Sequence, residues 1–296
     1  MYRFQREQRS FEIGNATFGG QPGGKSVMVG SVFHPRHSLL TDPRSGEVDG
    51  DALQQKIEAA ERSAAALEQP HALMACIEHA GAAHALLGQL ADRSEAAIFI
   101  DSPSMGPKLA AMAAAEEMGI SSRMVYNGLH IESPDEEWQA LEEHGADTAV
   151  LLAFDPGEMS VKGRIYMLDN GGRITRRGLI DKAEAHGVKR PLIDMAATSY
   201  QQNAGASLRA LTVAKAKWGL PCGLALRNTV ETWPPFADMD EGERKTFLHV
   251  DSSTVALSMA AGADWFMYGP IESAERMLHT AAFTAGVMSQ AVDDIR

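Results

Sequence analysis

Eight short apolar runs recur along this chain, and a stretch with helical spacing of its apolar residues follows each of them. The runs lie at 26–33, 71–79, 96–102, 122–128, 148–155, 190–196, 221–228 and 264–270. Near-continuous apolar runs of this length are typical of strands buried on both faces, as in a parallel sheet. Eight strands that alternate with helices predict an α/β fold, the (β/α)8 TIM barrel.

The stretches between the runs carry helix start and stop signals. The segment 106–119 has proline near its start and glycine at its end, and 133–145 opens with Ser-Pro and acidic residues. Further helices are predicted at 49–69, 81–93, 173–187, 202–218, 251–262 and 272–293. The segment 156–172 contains an Asn-Gly pair, which predicts an additional hairpin.

The ends of the chain show no break in composition. Residues 1–25 are predicted to form an N-terminal hairpin that caps one end of the barrel. No flexible linker or low-complexity tract divides the remainder. The sequence therefore predicts one TIM-barrel domain over residues 1–296.

Composition excludes several classes of function. The net charge is −12 and no basic tract occurs, which argues against binding to nucleic acid or to an anionic membrane. No apolar run approaches 18 residues, and the N-terminus lacks the apolar region of a secretory signal. Cys76 and Cys222 are too few and too far apart for a disulfide framework or a thiolate zinc site. A cytoplasmic protein is predicted.

Residues 19–26, GGQPGGKS, match the phosphate-binding loop of nucleotide hydrolases. In that motif a helix must begin at the Lys-Ser pair, so that its N-terminal N–H groups face the phosphates. Here Lys25 and Ser26 are followed by VMVGSVF, which is predicted to be the first strand. The match is therefore taken as accidental, and nucleotide hydrolysis is a minor alternative.

Carboxylates and carboxamides follow the apolar runs, where TIM barrels place their active sites. The set comprises Glu78, Asp101, Asn127, Asp194 and Asn228. Asp and Asn are also common in turns, so only the complete set indicates a site. A pterin ring fits it, because the N3–H and 2-amino edge pairs with a carboxylate through two parallel hydrogen bonds. Carboxamides both donate and accept, which suits the rest of the ring.

Other kinds of active site have less support. No predicted strand ends in lysine, which argues against a Schiff-base aldolase. His34, His37 and His79 follow two of the runs and form a lesser candidate for a metal site.

A set of motifs occurs in a fixed order: GGQPGGKSVMVGSVF, IFIDSPS, MVYNGLH, LLAFDP, LIDMAA, GLPCGLALRNTVETW and GADWFMYGPIESA. This set resembles the MtrH subunit of tetrahydromethanopterin S-methyltransferase. It also resembles the stand-alone bacterial relatives of that subunit, the methylcorrinoid:tetrahydrofolate methyltransferases of glycine betaine and similar metabolism. The resemblance covers nearly the whole chain, and it implies a TIM barrel of the pterin-binding methyltransferase type that forms a homodimer.

The resemblance also implies roles for the strand-end residues. Asp101 and Asn127 match positions that hydrogen-bond the pterin, and Asp194 matches the carboxylate for its amidine edge. Asn228 matches the catalytic asparagine beside N5, the atom that carries the methyl group, and closes the seventh strand. Glu78 matches an acidic or polar position at the end of the second strand.

The implied reaction moves a methyl group between N5 of tetrahydrofolate, or a related tetrahydropterin, and the cobalt of a corrinoid (cobalamin). A partner protein supplies the corrinoid, so no metal is expected on this chain. The lack of signs of a membrane complex favours tetrahydrofolate over tetrahydromethanopterin. The methyl donor and the net direction of transfer stay open.

Two alternatives remain besides nucleotide hydrolysis. A dihydropteroate-synthase-like enzyme would share the barrel and the pterin contacts, but it needs a basic pocket for pyrophosphate. Only Arg227 and Lys108 lie near predicted strand ends or helix starts. A non-catalytic subunit that binds a corrinoid protein would not need the Asp/Asn set. The segment 229–250 is predicted to contact the corrinoid protein, to cover the pterin, or to pack on its own barrel.

Overall fold

The computed structural model describes residues 3–35, 37–172, 174–236 and 238–293. Its strands are β1 (Ser10–Ile13), β2 (Ala16–Gly19), β3 (Val27–Val32), β4 (Leu40–Asp42), β5 (Glu47–Val48), β6 (His71–Cys76), β7 (Ile98–Asp101), β8 (Met124–Leu129), β9 (Thr148–Leu152), β10 (Arg190–Asp194), β11 (Cys222–Leu224) and β12 (Trp265–Pro270). Its helices are α1 (Gly50–Ala66), α2 (Ala83–Ala91), α3 (Met105–Glu117), α4 (Asp135–Glu143), α5 (Val161–Asn170), α6 (Leu179–Ala185), α7 (Ala204–Trp218), α8 (Arg227–Glu231), α9 (Arg244–Ala260) and α10 (Ala274–Asp293).

Eight strands close a parallel barrel, in the order β3, β6, β7, β8, β9, β10, β11 and β12. Each strand lies within one of the eight apolar runs, and helices follow the strands around the barrel. The predicted (β/α)8 TIM barrel is therefore confirmed. Among the described residues, none of the helices has both the length and the apolar character needed to cross a bilayer.

Side chains alternate between two apolar layers, because successive residues of a strand point to opposite faces. One face packs under the helices. The other fills the lumen, where the buried side chains come from all the long barrel strands and from the first hairpin: Ile13, Phe18, Val27, Val29, Ala72, Phe99, Val125, Val150, Leu192 and Trp265. The lumen is therefore a packed core, and polar side chains enter it only at its ends.

The hairpin of β1 and β2 closes the amino-terminal end of the barrel. Phe18 is fully buried, and its ring centroid lies 5.9 Å from that of Phe99 in β7. Gly14 turns the hairpin with a φ of +58° against the backbone of Ala97, where a Cβ would lie 2.5 Å from the amide nitrogen. This plug leaves the carboxyl ends of the strands as the open end.

The GGQPGGKS segment leads directly into a strand. Ser26 is followed by β3, and its hydroxyl donates to the carbonyl of Ala263 at 2.6 Å. Lys25 donates to the carbonyl of Glu68 at 2.6 Å. The segment lies at the amino-terminal end of the barrel and starts no helix, so the sequence prediction of a structural lead-in is confirmed.

The hairpin predicted at 156–172 is wrong, since this segment contains helix α5. Ser160 caps its start by accepting from the N–H of Gly163, and Gly171 ends it in the left-handed region with a φ of +77°. Glycine after asparagine serves both hairpin turns and helix C-caps, which explains the error.

The seventh strand is shorter than predicted. Strand β11 ends at Leu224, and the following Arg227–Glu231 forms α8, so that Asn228 lies on a helix and does not close the strand. Helix α9 begins at Arg244, where the sequence predicted a start at 251. The acidic and polar residues before 251 hid this early start from an apolar-spacing argument.

Candidate functional site

Asp101 and Asn127 form a hydrogen-bonded pair at the open end of the barrel. Asp101 is two residues after the lumen residue Phe99, and Asn127 is two after Val125, so both side chains take the lumen face. The Asn127 Nδ2 atom donates to Asp101 Oδ1 at 2.9 Å. The pairing of β8 with β9 shifts at this point, between Tyr126 and Leu129. Such irregularities re-aim side chains next to active sites.

The Asp101 carboxyl is held in a low-polarity position. Burial raises its pKa, and hydrogen bonding by Asn127 and the charge of Lys108 partly oppose that rise. Lys108 itself is buried, with its ammonium 2.8 Å from Glu137 Oε1 and 4.7 Å from the Tyr126 ring centroid. The Asp101–Asn127 pair therefore offers a carboxylate oxygen and an amide oxygen to a ligand in the lumen.

Asp194 ends β10 and is buried. It follows the lumen residue Leu192 by two positions, so its carboxylate also takes the lumen face. Burial raises its pKa to about 6, against the hydrogen bond from the Ala196 N–H at 2.8 Å and the charge of Arg164. A buried carboxylate needs donors, and the donor that the described residues supply is this backbone N–H. A ligand with N–H donors would complete its hydrogen bonding.

Glu78 lies beyond the end of β6, which stops at Cys76. The chain stays extended there, and the Ile77 N–H donates to the carbonyl of Asp101 at 2.8 Å. Met74, Cys76 and Glu78 are all partly buried and alternate with fully buried neighbours, so the three share the lumen side. Burial raises the pKa of the Cys76 thiol, and the charges of Asp101 and Glu78 add to that effect. This cysteine is therefore held as a neutral thiol.

Asn228 is exposed in the first turn of α8, outside the lumen. Its neighbour Arg227 anchors this turn: it lies 3.0 Å from the buried Asp251 Oδ2, and its side chain covers Gly269 in β12. Arg276 of α10 holds the same Asp251 oxygen at 2.8 Å. The structure thus brings Glu78, Asp101, Asn127 and Asp194 to one lumen end and places Asn228 at its rim.

His34, His37 and Glu272 cluster at the carboxyl ends of β3 and β12, with ligand atoms within 4.8 Å of one another. The Phe33 N–H donates to His37 Nδ1 at 2.9 Å, so the ring proton of neutral His37 is on Nε2. That nitrogen lies 3.0 Å from Glu272 Oε1 and donates to it. A metal on Nε2 would require the loss of this proton, so the arrangement fits a hydrogen bond better than a metal ligand. His79 is not part of this cluster.

Glu272 was missed by the sequence prediction. The hydrogen bond from His37 and that from Lys56, at 3.0 Å, lower its pKa to about 2 despite partial burial. Its position after the eighth strand is the same signal that identified the other residues, applied one strand further. Burial lowers the pKa of nearby His34, with the charge of His37 as the second cause.

Arg164 was also missed, because it lies in the segment predicted as a hairpin. It is 1% exposed, and its guanidinium donates to backbone carbonyls near Asp194. No local sequence signal marks it, since its partners in β10 and beyond are more than 30 residues away.

The segment 229–250 packs largely on its own barrel. Phe236 and Phe247 are buried in one small apolar cluster, with ring centroids 5.6 Å apart. Trp233 packs edge-on against Phe236 and reaches Tyr200 at 6.4 Å, and Tyr200 is half exposed. The Tyr200–Trp233 edge is the aromatic surface that this segment offers at the rim.

The model of the family described as "Tetrahydromethanopterin S-methyltransferase MtrH subunit" matches residues 6–296. The chain is 29% identical over 296 residues to the corresponding tetrahydromethanopterin S-methyltransferase subunit of Methanothermobacter thermautotrophicus, covering 100% of this chain and 96% of that protein. It is 31% identical over 310 residues to the same subunit of Methanococcus vannielii, with the same coverage.

The fold is similar to that of solved pterin enzymes. The 7,8-dihydropteroate synthase of Vibrio fischeri superposes with a TM-score of 0.63 at 13% identity, over 97% of this chain and 99% of that one. At that identity the likeness concerns the fold alone. The family match over nearly the whole chain is specific, and the chain belongs to the tetrahydromethanopterin S-methyltransferase MtrH subunit family, a family of methyltransferases.

Proposed function

We propose that this chain moves a methyl group between N5 of tetrahydrofolate, or a related tetrahydropterin, and the cobalt of a corrinoid on a partner protein. Membership of a methyltransferase family supports the reaction class. The observation that carries the proposal is the pairing of Asp101 with Asn127, beside the buried Asp194, at the open end of the barrel. We expect the chain to act as a homodimer.

The pterin ring binds, in this proposal, with its N3–H and 2-amino edge on Asp194. Both donors pair with one carboxylate, which is the strong, charge-assisted form of hydrogen bond. Asp101 and Asn127 contact the remaining polar edge, where an amide both donates and accepts. Glu78 closes the same side of the lumen. The bound ring would displace water from groups that are already largely buried.

Asn228 is proposed to lie beside N5 at the rim. Transfer from N5 is in-line: the carbon–nitrogen bond leaves its electron pair on N5, and cobalt supplies the pair for the new bond. A tertiary amine is a poor leaving group, so a hydrogen bond to N5 assists departure. A neutral amide donates to the bare nitrogen or accepts from N5–H, which serves both directions of transfer. The exposed first turn of α8 leaves this residue accessible to the partner's corrinoid.

A dihydropteroate-synthase-like reaction is the alternative. It needs cations for pyrophosphate, and the two candidates are both engaged in ion pairs. Arg227 pairs with Glu231 and Asp251, and Lys108 pairs with Glu137. Methyl transfer places no such demand on these residues, so it fits the charges of the site better.

We expect the purified protein to form methylcobalamin from 5-methyltetrahydrofolate and free Co(I) cobalamin, followed by absorbance. A parallel reaction with 5-methyltetrahydromethanopterin decides which pterin is preferred, since the named relatives are tetrahydromethanopterin enzymes. Binding of each pterin is measured separately by calorimetry. Neither transfer nor binding with either pterin would contradict the proposal.

Replacing Asn228 by alanine should lower kcat about tenfold, the value of roughly one hydrogen bond made in the transition state. The Kd for the pterin should change little, because Asp194 and Asp101 supply most of the binding. Asn170→Ala is the matched control, an exposed asparagine at the far end of α5. An unchanged kcat in Asn228→Ala would remove this residue from its assigned role.

A further inference from the structure

Arg164 is a buried cation whose hydrogen-bond partners, among the described residues, are all backbone carbonyls. It is 1% exposed on α5, and within that part of the chain it has no carboxylate at ion-pair distance. Two of its partners, Met159 and Ser160, lie at the start of its own helix. The other two, Met195 and Ala196, directly follow Asp194. Burying a guanidinium is costly, so a purely structural link between these segments could be made with less cost by an apolar side chain.

One peptide group connects Arg164 to Asp194. The carbonyl of Met195 accepts from Arg164 Nε at 3.0 Å. The N–H of the same peptide group, that of Ala196, donates to Asp194 Oδ1 at 2.8 Å. A donor on the carbonyl polarises the peptide and strengthens the bond made by its N–H. The positive charge is thus relayed to the carboxylate without a direct salt bridge, and the carboxylate's lumen face stays open.

The backbone at this point is held in a strained form. Ala196 has a φ of +51°, a left-handed conformation that costs a non-glycine residue about 1 kcal/mol or more. Arg164 Nη2 binds its carbonyl at 3.4 Å, and so does the Ser207 hydroxyl, also at 3.4 Å. Strain of this kind persists only where the surroundings fix it. The left-handed turn is what points the Ala196 N–H back at Asp194.

We propose that Arg164 is a positioning residue of the pterin site, which holds the Asp194 carboxylate ionised and oriented towards the lumen through the Met195–Ala196 peptide. The ligand is the amidine edge of a tetrahydropterin, and the inference rests on the proposed function. Only an ionised carboxylate accepts both N–H groups of that edge, so binding must weaken as Asp194 becomes protonated. Arg164 opposes that protonation and so extends binding to lower pH.

Few other charges act on Asp194. The neighbouring strands place Leu152 and Gly223 beside it, and neither titrates. The nearby Asp155 accepts from the Gly157 N–H in its own turn. Asp101, across the lumen, also has a raised pKa, but its partners are Asn127 and Lys108. A substitution of Arg164 therefore acts on the Asp194 limb of the pH profile.

The test compares Arg164→Gln with Arg164→Lys by tetrahydrofolate binding, measured calorimetrically between about pH 5 and 8.5, a range that spans ordinary and raised aspartate pKa values. Both variants lose the guanidinium fork, but only Gln loses the charge. We expect affinity at pH 8 to fall about tenfold in both. The midpoint of the pH dependence should rise by about one pH unit in Gln and stay at the wild-type value in Lys.

Arg123→Gln is the matched control. Arg123 is another buried arginine that donates to backbone carbonyls, those of Ala91, Ser94 and Ala96, but it lies at the amino-terminal end of the barrel. It should lose stability and keep the wild-type affinity and midpoint. Circular dichroism and thermal unfolding check that each variant is folded.

The outcomes separate the inference from the proposed function. A folded Arg164→Gln with wild-type midpoint and affinity would overturn the positioning role alone. If Arg164→Gln does not fold, wild-type affinity in Arg164→Lys overturns it, because the fork would then be dispensable. No binding of tetrahydrofolate or tetrahydromethanopterin by the wild-type protein overturns the proposed function, and the inference falls with it.

Discussion

Replacing Asp194 by asparagine should weaken tetrahydropterin binding about a hundredfold. The carboxylate accepts two N–H groups of the amidine edge, and each hydrogen bond to a charged group is worth about 1.5–3 kcal/mol. An amide turns its own NH2 group towards one of those donors, so one bond is lost and a repulsive contact replaces it. The Ala196 N–H keeps an amide oxygen as its partner, so the fold should persist.

The pH dependence gives this prediction a second readout. Burial raises the pKa of Asp194 to about 6, so wild-type affinity should fall as pH falls through that value. The asparagine does not titrate, and its weak binding should lack this limb. Asp147→Asn makes the same chemical change at the amino-terminal end of β9, where Asp147 pairs with Arg190 at 2.6 Å. Equal losses of affinity in the two variants would contradict a specific role for Asp194.

The barrel and most of its open end were predictable from local patterns. Parallel strands leave long apolar runs, and the period of two along each strand fixes which later residue shares the lumen face. That is why Asp101, Asn127 and Asp194 could be grouped from their positions in the sequence. Their assignment to pterin contacts remains a prediction, because no bound ligand tests it.

What the sequence could not give is non-local. Arg164 acts through carbonyls more than 30 residues away, and backbone carbonyls leave no trace in side-chain patterns. Glu272 gains its partners from α1 and from the loop after β3. Asn228 was placed at a strand end because LALRN continues the apolar run, whereas the chain turns into α8 after Leu224. In each case the deciding contact comes from another element.

Replacing Lys215 by methionine should lower the free energy of unfolding by about 3–5 kcal/mol, the usual cost of breaking a buried ion pair. Lys215 on α7 is 1% exposed, with its ammonium 2.5 Å from Asp264 Oδ1 and 2.9 Å from the carbonyl of Gly20. The other Asp264 oxygen accepts from the Cys222 N–H at 2.8 Å. The pair therefore ties α7, β11 and the GGQPGGKS segment together, and methionine would leave a buried carboxylate without its cation.

Two further variants isolate this cause. Lys217→Met removes the next lysine of α7, whose surface pair with Asp169 at 2.6 Å should contribute no more than about 1 kcal/mol. Asp264→Asn added to Lys215→Met removes the unpaired charge and keeps an acceptor for the Cys222 N–H. The double variant should therefore be more stable than Lys215→Met alone, because most of the cost comes from the unpaired carboxylate.

The loss in Lys215→Met should also grow with pH. Burial raises the pKa of Asp264 to about 6, with Lys215 opposing the rise, so the variant's carboxyl has a higher pKa still. The folded variant then keeps a proton that the unfolded chain, with an ordinary aspartate pKa near about 4, releases. A state that binds more protons loses ground as pH rises, so urea unfolding should show a larger loss at pH 8 than at pH 5. A loss below about 1 kcal/mol at both pH values would mean that the buried pair contributes no more than a surface pair.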